Sequence, residues 1–162
     1  MKGDFHPISP MRRRATGLIA IIALLLPPGL VLGAAAAEFR SVGEAGAVLY
    51  DAPSAQAKKL FVAHRYYPVE VVVELNQWDK VRDASGDLAW VEKRALSTQR
   101  TVIVTVARAR VHNAPDSAAP PVFDAEKNVA LNVVEIMHGG WVRVAHADGQ
   151  SGYVLANEVW GI

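Results

Sequence analysis

The amino-acid sequence predicts an all-β protein in which two small barrel-like sheets follow an N-terminal signal segment, and three observations carry that prediction. The first is an internal repeat. Trp78, Lys80, Val81, Gly86, Trp90 and Val91 recur as Trp141, Arg143, Val144, Gly149, Tyr153 and Val154, each 63 residues later. Upstream the interval becomes 62, with Leu49-Tyr50-Asp51-Ala52-Pro53 matching Val111-His112-Asn113-Ala114-Pro115 and Phe61 matching Phe123. A fixed period with one single-residue insertion means two copies of one unit. The second observation is alternation: Val69, Val71, Val73 and Leu75 are interleaved with Glu70, Val72, Glu74 and Asn76, the period of two that a half-buried strand needs. The third is that short apolar runs separated by Gly, Pro and Asn turns recur along both copies, with no convincing helix among them.

Composition bounds the chemistry. The chain has 162 residues and no Cys, which excludes disulfides, thiolate metal sites, a cysteine nucleophile and lipidation at a lipobox cysteine. Its formal charge is +1, but from Glu38 onward 13 basic residues face 15 acidic ones. A slightly acidic module without a basic run argues against nucleic acid, whose binding depends on neutralising phosphates.

Taken in order, residues 1–37 read as a secretory signal. Arg12-Arg13-Arg14 form a positive n-region, Leu18 to Leu26 an apolar core, and Ala35-Ala36-Ala37 a small-residue cleavage site before Glu38. Met11 stands directly before the arginines, so residues 1–10 are read as lying upstream of the true start. The alternative is an uncleaved anchor, against which Pro27-Pro28-Gly29 count, because they break a helix before it is long enough to span. The expected product is periplasmic or secreted, cleaved after Ala37, with no membrane span remaining.

The first unit is expected over 38–97 and the second over 98–162. In the first, strands are predicted at Ala47 to Tyr50, Leu60 to Ala63, Val69 to Asn76, Trp78 to Asp83 and Leu88 to Glu92, with Ser85-Gly86 turning the last hairpin. Thr101 to Val106 is β-branched almost throughout, so it reads as the opening strand of unit two and not as a flexible linker. The units are therefore expected to hold a fixed orientation. In the second unit Leu131 and Val133 favour one face whereas Val134 and Ile136 favour the other. That change of phase predicts a β-bulge, the device by which a small sheet bends into a barrel.

These motifs resemble the bacterial SH3 (SH3b) domains of exported and cell-wall proteins. The resemblance rests on the Val111 to Pro115 opening, the Gly140-Trp141-Val142-Arg143-Val144 strand, the Gly149-Gln150-Ser151-Gly152-Tyr153-Val154 hairpin and the closing Val159, with a parallel set in unit one. His112 and Tyr50 stand where that family usually has an Arg, and Gln77 where it often has a Gly. The resemblance implies two tandem SH3-like barrels and a non-catalytic binding module of the cell envelope, with cell-wall peptidoglycan or an envelope protein as ligand. A periplasmic assembly or scaffold protein that binds a partner protein is the alternative. A small hydrolase has least support, since no nucleophile elbow or strand-turn-helix is present to carry a triad, and the repeats use nearly all the chain after Ala37.

Four aromatic residues are the candidate ligand-binding residues: Tyr66 and Tyr67, in a loop before Pro68 with Asn128 and Val129 at the matching positions of unit two, and Trp78 and Trp141, at strand starts beside polar turns. Trp90 and Tyr153, between apolar neighbours, are expected in the core. His138, His146 and Asp148 match no zinc signature, so neither a metal nor a cofactor is expected, and no catalytic residue is assigned.

Overall fold

The computed structural model describes residues 37–162, so the predicted leader lies outside the described residues save for Ala37. Among the described residues fourteen strands form two antiparallel sheets of seven. The first sheet comprises β1 (Glu38–Val42), β2 (Ala47–Tyr50), β3 (Lys59–Ala63), β4 (Pro68–Glu74), β5 (Trp78–Arg82), β6 (Leu88–Glu92) and β7 (Leu96–Ser97), in the order β3-β2-β6-β5-β4-β1-β7. The second repeats that order with β8 (Thr101–Val104), β9 (Arg108–His112), β10 (Pro121–Glu126), β11 (Ala130–Ile136), β12 (Trp141–Ala145), β13 (Ser151–Leu155) and β14 (Val159–Trp160). A one-turn 3₁₀ helix follows β6 and β13, at Lys93–Ala95 and Ala156–Glu158. Among the described residues no helix is long and apolar enough to cross a membrane.

Each sheet closes on its own small core. Leu49, Val42, Val69, Val81 and Val91 fill the first, and Leu131, Val102, Val111, Val144 and Val154 the second. The side chains are short because curved sheets of this size leave little space between their faces. The curvature has a local source. The β11–β12 ladder shifts register between Val133 and Glu135, as the phase change at Val134 predicts, and the β4–β5 ladder shifts in the same way between Val71 and Val73. The second bulge corrects the expectation that Val69, Val71, Val73 and Leu75 share an inward face: Val69 and Val71 pack on the core, whereas beyond the bulge Val73 and Leu75 stand exposed.

The expected strands are present, with β8 ending at Val104 and the seven-stranded count exceeding the five or so per unit that the sequence implied. The additional strands are β1 and β9, whose polar residues obscure the pattern, and the two-residue β7 and β14, which pair back onto β1 and β8.

The junction between the sheets is built from both. All four residues of β8 are buried. Val102 and Val104 enter the second core, and the hydroxyl of Thr101 donates to the Tyr66 carbonyl at 2.7 Å. Phe39 of β1 meets Trp160 of β14 edge to face, with centroids 5.1 Å apart. The Arg100 guanidinium lies 5.5 Å from the Phe39 ring centre and donates to the Gly161 carbonyl at 3.0 Å. Contacts of this kind give physical content to the expected fixed orientation.

One glycine shows how tightly the second barrel is drawn in. A Cβ at Gly152 would run into the His112 carbonyl and sit 2.7 Å from Val111 Cγ1, where β13 crosses β9; the matching position of unit one, Ala89, holds its methyl in the core. Gly152→Ala is therefore expected to destabilise the protein by about 2 kcal/mol through overpacking. A thermal melt indistinguishable from the parent's would show that β13 and β9 do not approach so closely.

Candidate functional site

The two tryptophans predicted at strand starts occupy equivalent positions, at the first residues of β5 and β12. Each is half-buried and meets, edge to face, the residue that stands where the resemblance expects an Arg. Tyr50 and Trp78 are 5.4 Å apart at 86°, and His112 and Trp141 are 5.7 Å apart at 89°. Edge-to-face pairs favour this geometry because the positive rim of one ring faces the negative face of the other. Tyr50 and His112 are both buried, and His112 Nδ1 lies 2.8 Å from the Ala119 carbonyl, so each acts as a fixed backing for an indole that is open on its other side.

Around Trp78 that open side is a cleft of about 700 Å³, lined among others by Pro53, Gln56, Asn76, Trp78, Lys93 and Arg94. Three segments frame it: the β2–β3 loop, the β4–β5 turn and the 3₁₀ turn after β6. The Lys93 amide donates to the Gln77 carbonyl at 2.9 Å, tying the last two together, and the Ala156 amide does the same to Gly140 in unit two. The lining chemistry nevertheless differs between copies. Asn76-Gln77 and Glu92-Lys93-Arg94 of unit one correspond to Gly139-Gly140 and Leu155-Ala156-Asn157 of unit two. The first cleft is thus an aromatic floor with amide and charged walls, suited to a polar ligand that also offers an apolar face.

The other two candidates sit elsewhere. Tyr66 lies in the turn before β4 with φ of 65°, and Asn128 has φ of 69° at the equivalent place. The amides of Tyr66 and Asn128 donate to the carbonyls of Val42 and Val104, at 2.8 and 2.9 Å, so the two positions are scaffold equivalents despite their unlike side chains. A tyrosine in the left-handed region is strained, whereas Asn enters it readily. The Tyr66 hydroxyl donates to Glu44 at 3.0 Å, and its carbonyl accepts the junction bond from Thr101. Tyr67 packs against the first core, and its hydroxyl accepts the Ala84 amide at 3.3 Å, bracing the β5–β6 turn; burial pushes its pKa up. Among the described residues no ring-to-ring contact joins any two of Tyr66, Tyr67, Trp78 and Trp141.

His138 lies in the turn before β12 and His146 in the turn after it, so two histidines that are close in sequence are held at opposite ends of a strand. His146 Nδ1 does sit 3.0 Å from Asp148, whose carboxyl is lowered to about 2 by the backbone and side-chain N–H groups of Gln150 and by His146. These contacts shape a hairpin turn.

Sequence reasoning missed the walls of the cleft and what lies behind them. Asp79, on β5, is only 5% exposed although its counterpart, Val142, is a core residue. Lys93 bridges Glu74 at 2.8 Å and approaches Asp79 at 3.5 Å. Burial raises the Asp79 pKa from its ordinary 3.8, with Lys93 opposing. The available signal was a difference between copies, carboxylate against valine in otherwise matched strands. Because Asp79 binds its proton more tightly when folded, its contribution to stability is greatest below the ordinary aspartate pKa and falls as pH rises through the raised value. Asp79→Asn is accordingly expected to melt higher than the parent at neutral pH, with the gap closing as the solution is acidified. A lower melting temperature at neutral pH would mean that attraction to Lys93 outweighs desolvation.

Comparison with known proteins agrees with the repeat. The bacterial SH3 domain model matches residues 43–98 and again 105–161. No curated protein matches. Among solved structures, NlpC2 and NlpC1 from Trichomonas vaginalis are 15% and 16% identical, with TM-scores of 0.36 and 0.35; each match covers 78% of this chain and 48% or 46% of theirs. An NlpC/P60 family protein from Bacillus cereus is 16% identical with a TM-score of 0.36, over 76% of this chain and 56% of that one. The chain thus spans about half the length of these structures. The two family matches fall on the two seven-stranded sheets described above, and the chain belongs to the bacterial SH3 domain family, carrying the domain twice.

Proposed function

We propose that the protein is an exported, non-catalytic binding module of the bacterial cell envelope, periplasmic or secreted, that uses its first SH3 domain to hold cell-wall peptidoglycan or an envelope protein. Bacterial SH3 domains are binding modules, often associated with the cell wall. The observation that carries the reading is the Trp78 cleft. A half-buried indole backed by Tyr50 forms its floor, and Asn76, Gln77, Lys93 and Arg94 supply donors and charge around it. Peptidoglycan offers what such a wall recognises: amides and carboxylates along its peptides, and sugar faces that stack on an indole. The leader read from Arg12 to Ala37 would deliver the protein to that compartment.

Trp141, backed by His112, is assigned the same role in the second domain with weaker polar discrimination, because its borders are Gly139-Gly140 and Leu155-Ala156. Tyr66, whose carbonyl accepts the Thr101 hydroxyl at the junction, is assigned to a surface shared by the two domains, whereas Tyr67 braces the β5–β6 turn, at the other end of β5 from Trp78, and is assigned a supporting place in the first domain. The fixed junction also favours a second reading, a periplasmic assembly or scaffold protein, since rigidly spaced sites select a partner whose own spacing matches.

Co-sedimentation with purified cell-wall sacculi tests the proposal. Trp78→Ala is expected to weaken retention by about tenfold or more, the loss that follows removal of a central aromatic anchor, and Trp141→Ala by less. Retention unchanged by both substitutions would remove the clefts from the account. No retention of the parent, combined with capture of one envelope protein, would favour the scaffold reading.

A further inference from the structure

The outer edge of the first sheet is left open, and its chemistry is specific. Among the described residues β3 is the terminal strand, paired only with β2, so the backbone groups along its other side have no strand partner there. An open edge is a template for another chain, and proteins commonly blunt it with proline, charge or a cover. In β3 charge stands only at the first residue, Lys59: Leu60, Phe61 and Val62 are 43%, 38% and 65% exposed in succession, so apolar side chains project from both faces of the edge. The equivalent strand of the second domain, β10, occupies the same place in its sheet and is blunted. It begins with Pro121, and its Asp124 lies 3.9 Å from Arg108 and 3.6 Å from Arg110 of β9. The fold therefore does not require an apolar edge at β3.

Charge narrows what would pair there. Lys58 and Lys59 precede the apolar triplet, and His64 and Arg65 follow it. Among the described residues none of the four forms a salt bridge. The nearby carboxylates are otherwise engaged: Asp51 accepts the Lys58 backbone amide at 3.1 Å, and Glu44 accepts the Tyr66 hydroxyl. Pairing with a second copy of β3, antiparallel and centred between Phe61 and Val62, would set Lys58 of one chain opposite Arg65 of the other and Lys59 opposite His64. A parallel pairing would set lysine beside lysine. Both arrangements juxtapose like charges, which disfavours a homodimer.

We infer that β3 is a strand-addition site for an extended segment of a partner protein, apolar at its centre and acidic at its ends. Main-chain hydrogen bonds to the edge would supply affinity, the exposed side chains of Leu60, Phe61 and Val62 would favour apolar residues on both faces, and Lys58, Lys59 and Arg65 would fix the register. This surface is separate from the Trp78 cleft, whose lining includes no residue of β3.

The test uses a labelled synthetic peptide with alternating valine and threonine at its centre and two glutamates at each end, and a control peptide ending in lysines. Binding is followed by fluorescence anisotropy and by amide shifts of the isotope-labelled protein. The glutamate peptide is expected to bind saturably and to shift the amides of Lys59 to Ala63, with the lysine peptide at least about tenfold weaker. Lys59→Glu combined with Arg65→Glu should reverse the preference between the two peptides, while Trp78→Ala should leave it intact. Equal binding of both peptides, shifts confined to the Trp78 cleft, or self-association of the free protein through β3 would each overturn the assignment. Binding to phosphatidylglycerol vesicles without binding to either peptide would overturn it as well and point to a lipid surface.

Discussion

Strand β8 has no face left for solvent, and the arrangement of the molecule depends on that. Its even-numbered residues, Val102 and Val104, belong to the second core, while Thr101 and Ile103 are buried on the opposite side, where the Thr101 hydroxyl caps the Tyr66 carbonyl. β1 plays the mirrored part: Val42 belongs to the first core, and Phe39 packs against Trp160 of the other sheet. A barrel of about 60 residues is near the lower limit for a self-supporting core. Burying a second face of one strand in each domain adds apolar area that neither barrel could bury alone, at roughly 1.5 to 3 kcal/mol per large side chain removed from water. Gly161 belongs to the same junction, since a Cβ there would lie 3.1 Å from Pro68 Cβ, across the boundary between the sheets.

The duplication supplies an internal control for what the scaffold needs. Hydrogen bonds that close the turns are repeated almost bond for bond, as with Leu75 to Trp78 and Met137 to Trp141, at 2.8 and 3.0 Å. The bulges recur, and so do the edge-to-face pairs behind the two indoles. What changes between copies is concentrated on one domain: the charged wall of the cleft, the carboxylate of Asp79 in place of Val142, and the apolar edge at β3. The second barrel folds without these features, and a buried aspartate, a strained Tyr66 and an apolar edge all cost stability relative to it, a cost that the proposed binding role of the first domain would explain. In this molecule these costly departures fall together in one domain, beside a neighbour that carries none of them.

Much of this was legible in the sequence because the repeat turned weak signals into paired ones. The hairpins at Gly86 and Gly149, the strand at Thr101 and the bulge at Val134 follow from turn chemistry and period alone. Legibility ended where burial depends on partners distant in sequence. The phase of β4 beyond Val71 was misread because Val72 and Val73 continue an apolar run through the bulge, and a run of valines does not reveal which one is the extra residue. Strand β1 was hidden by Glu38, Arg40 and Ser41, polar residues whose strand state comes from pairing with β4 and β7. At the site, the indoles could be named, but the cleft itself is made by a loop, a turn and a 3₁₀ segment that only the closed barrel brings together. The absence of an identical match for Tyr66 concealed that Asn128 adopts the same left-handed turn.

The central claim, that the buried faces of β1 and β8 join two SH3 domains into one body, is tested most directly by backbone ¹⁵N relaxation. The account predicts that the amides of both sheets fit a single rotational diffusion tensor, and that lengthening the segment after Ser97 with a Gly/Ser insert splits them into two. Independent tumbling of the two sheets in the unaltered protein would contradict it.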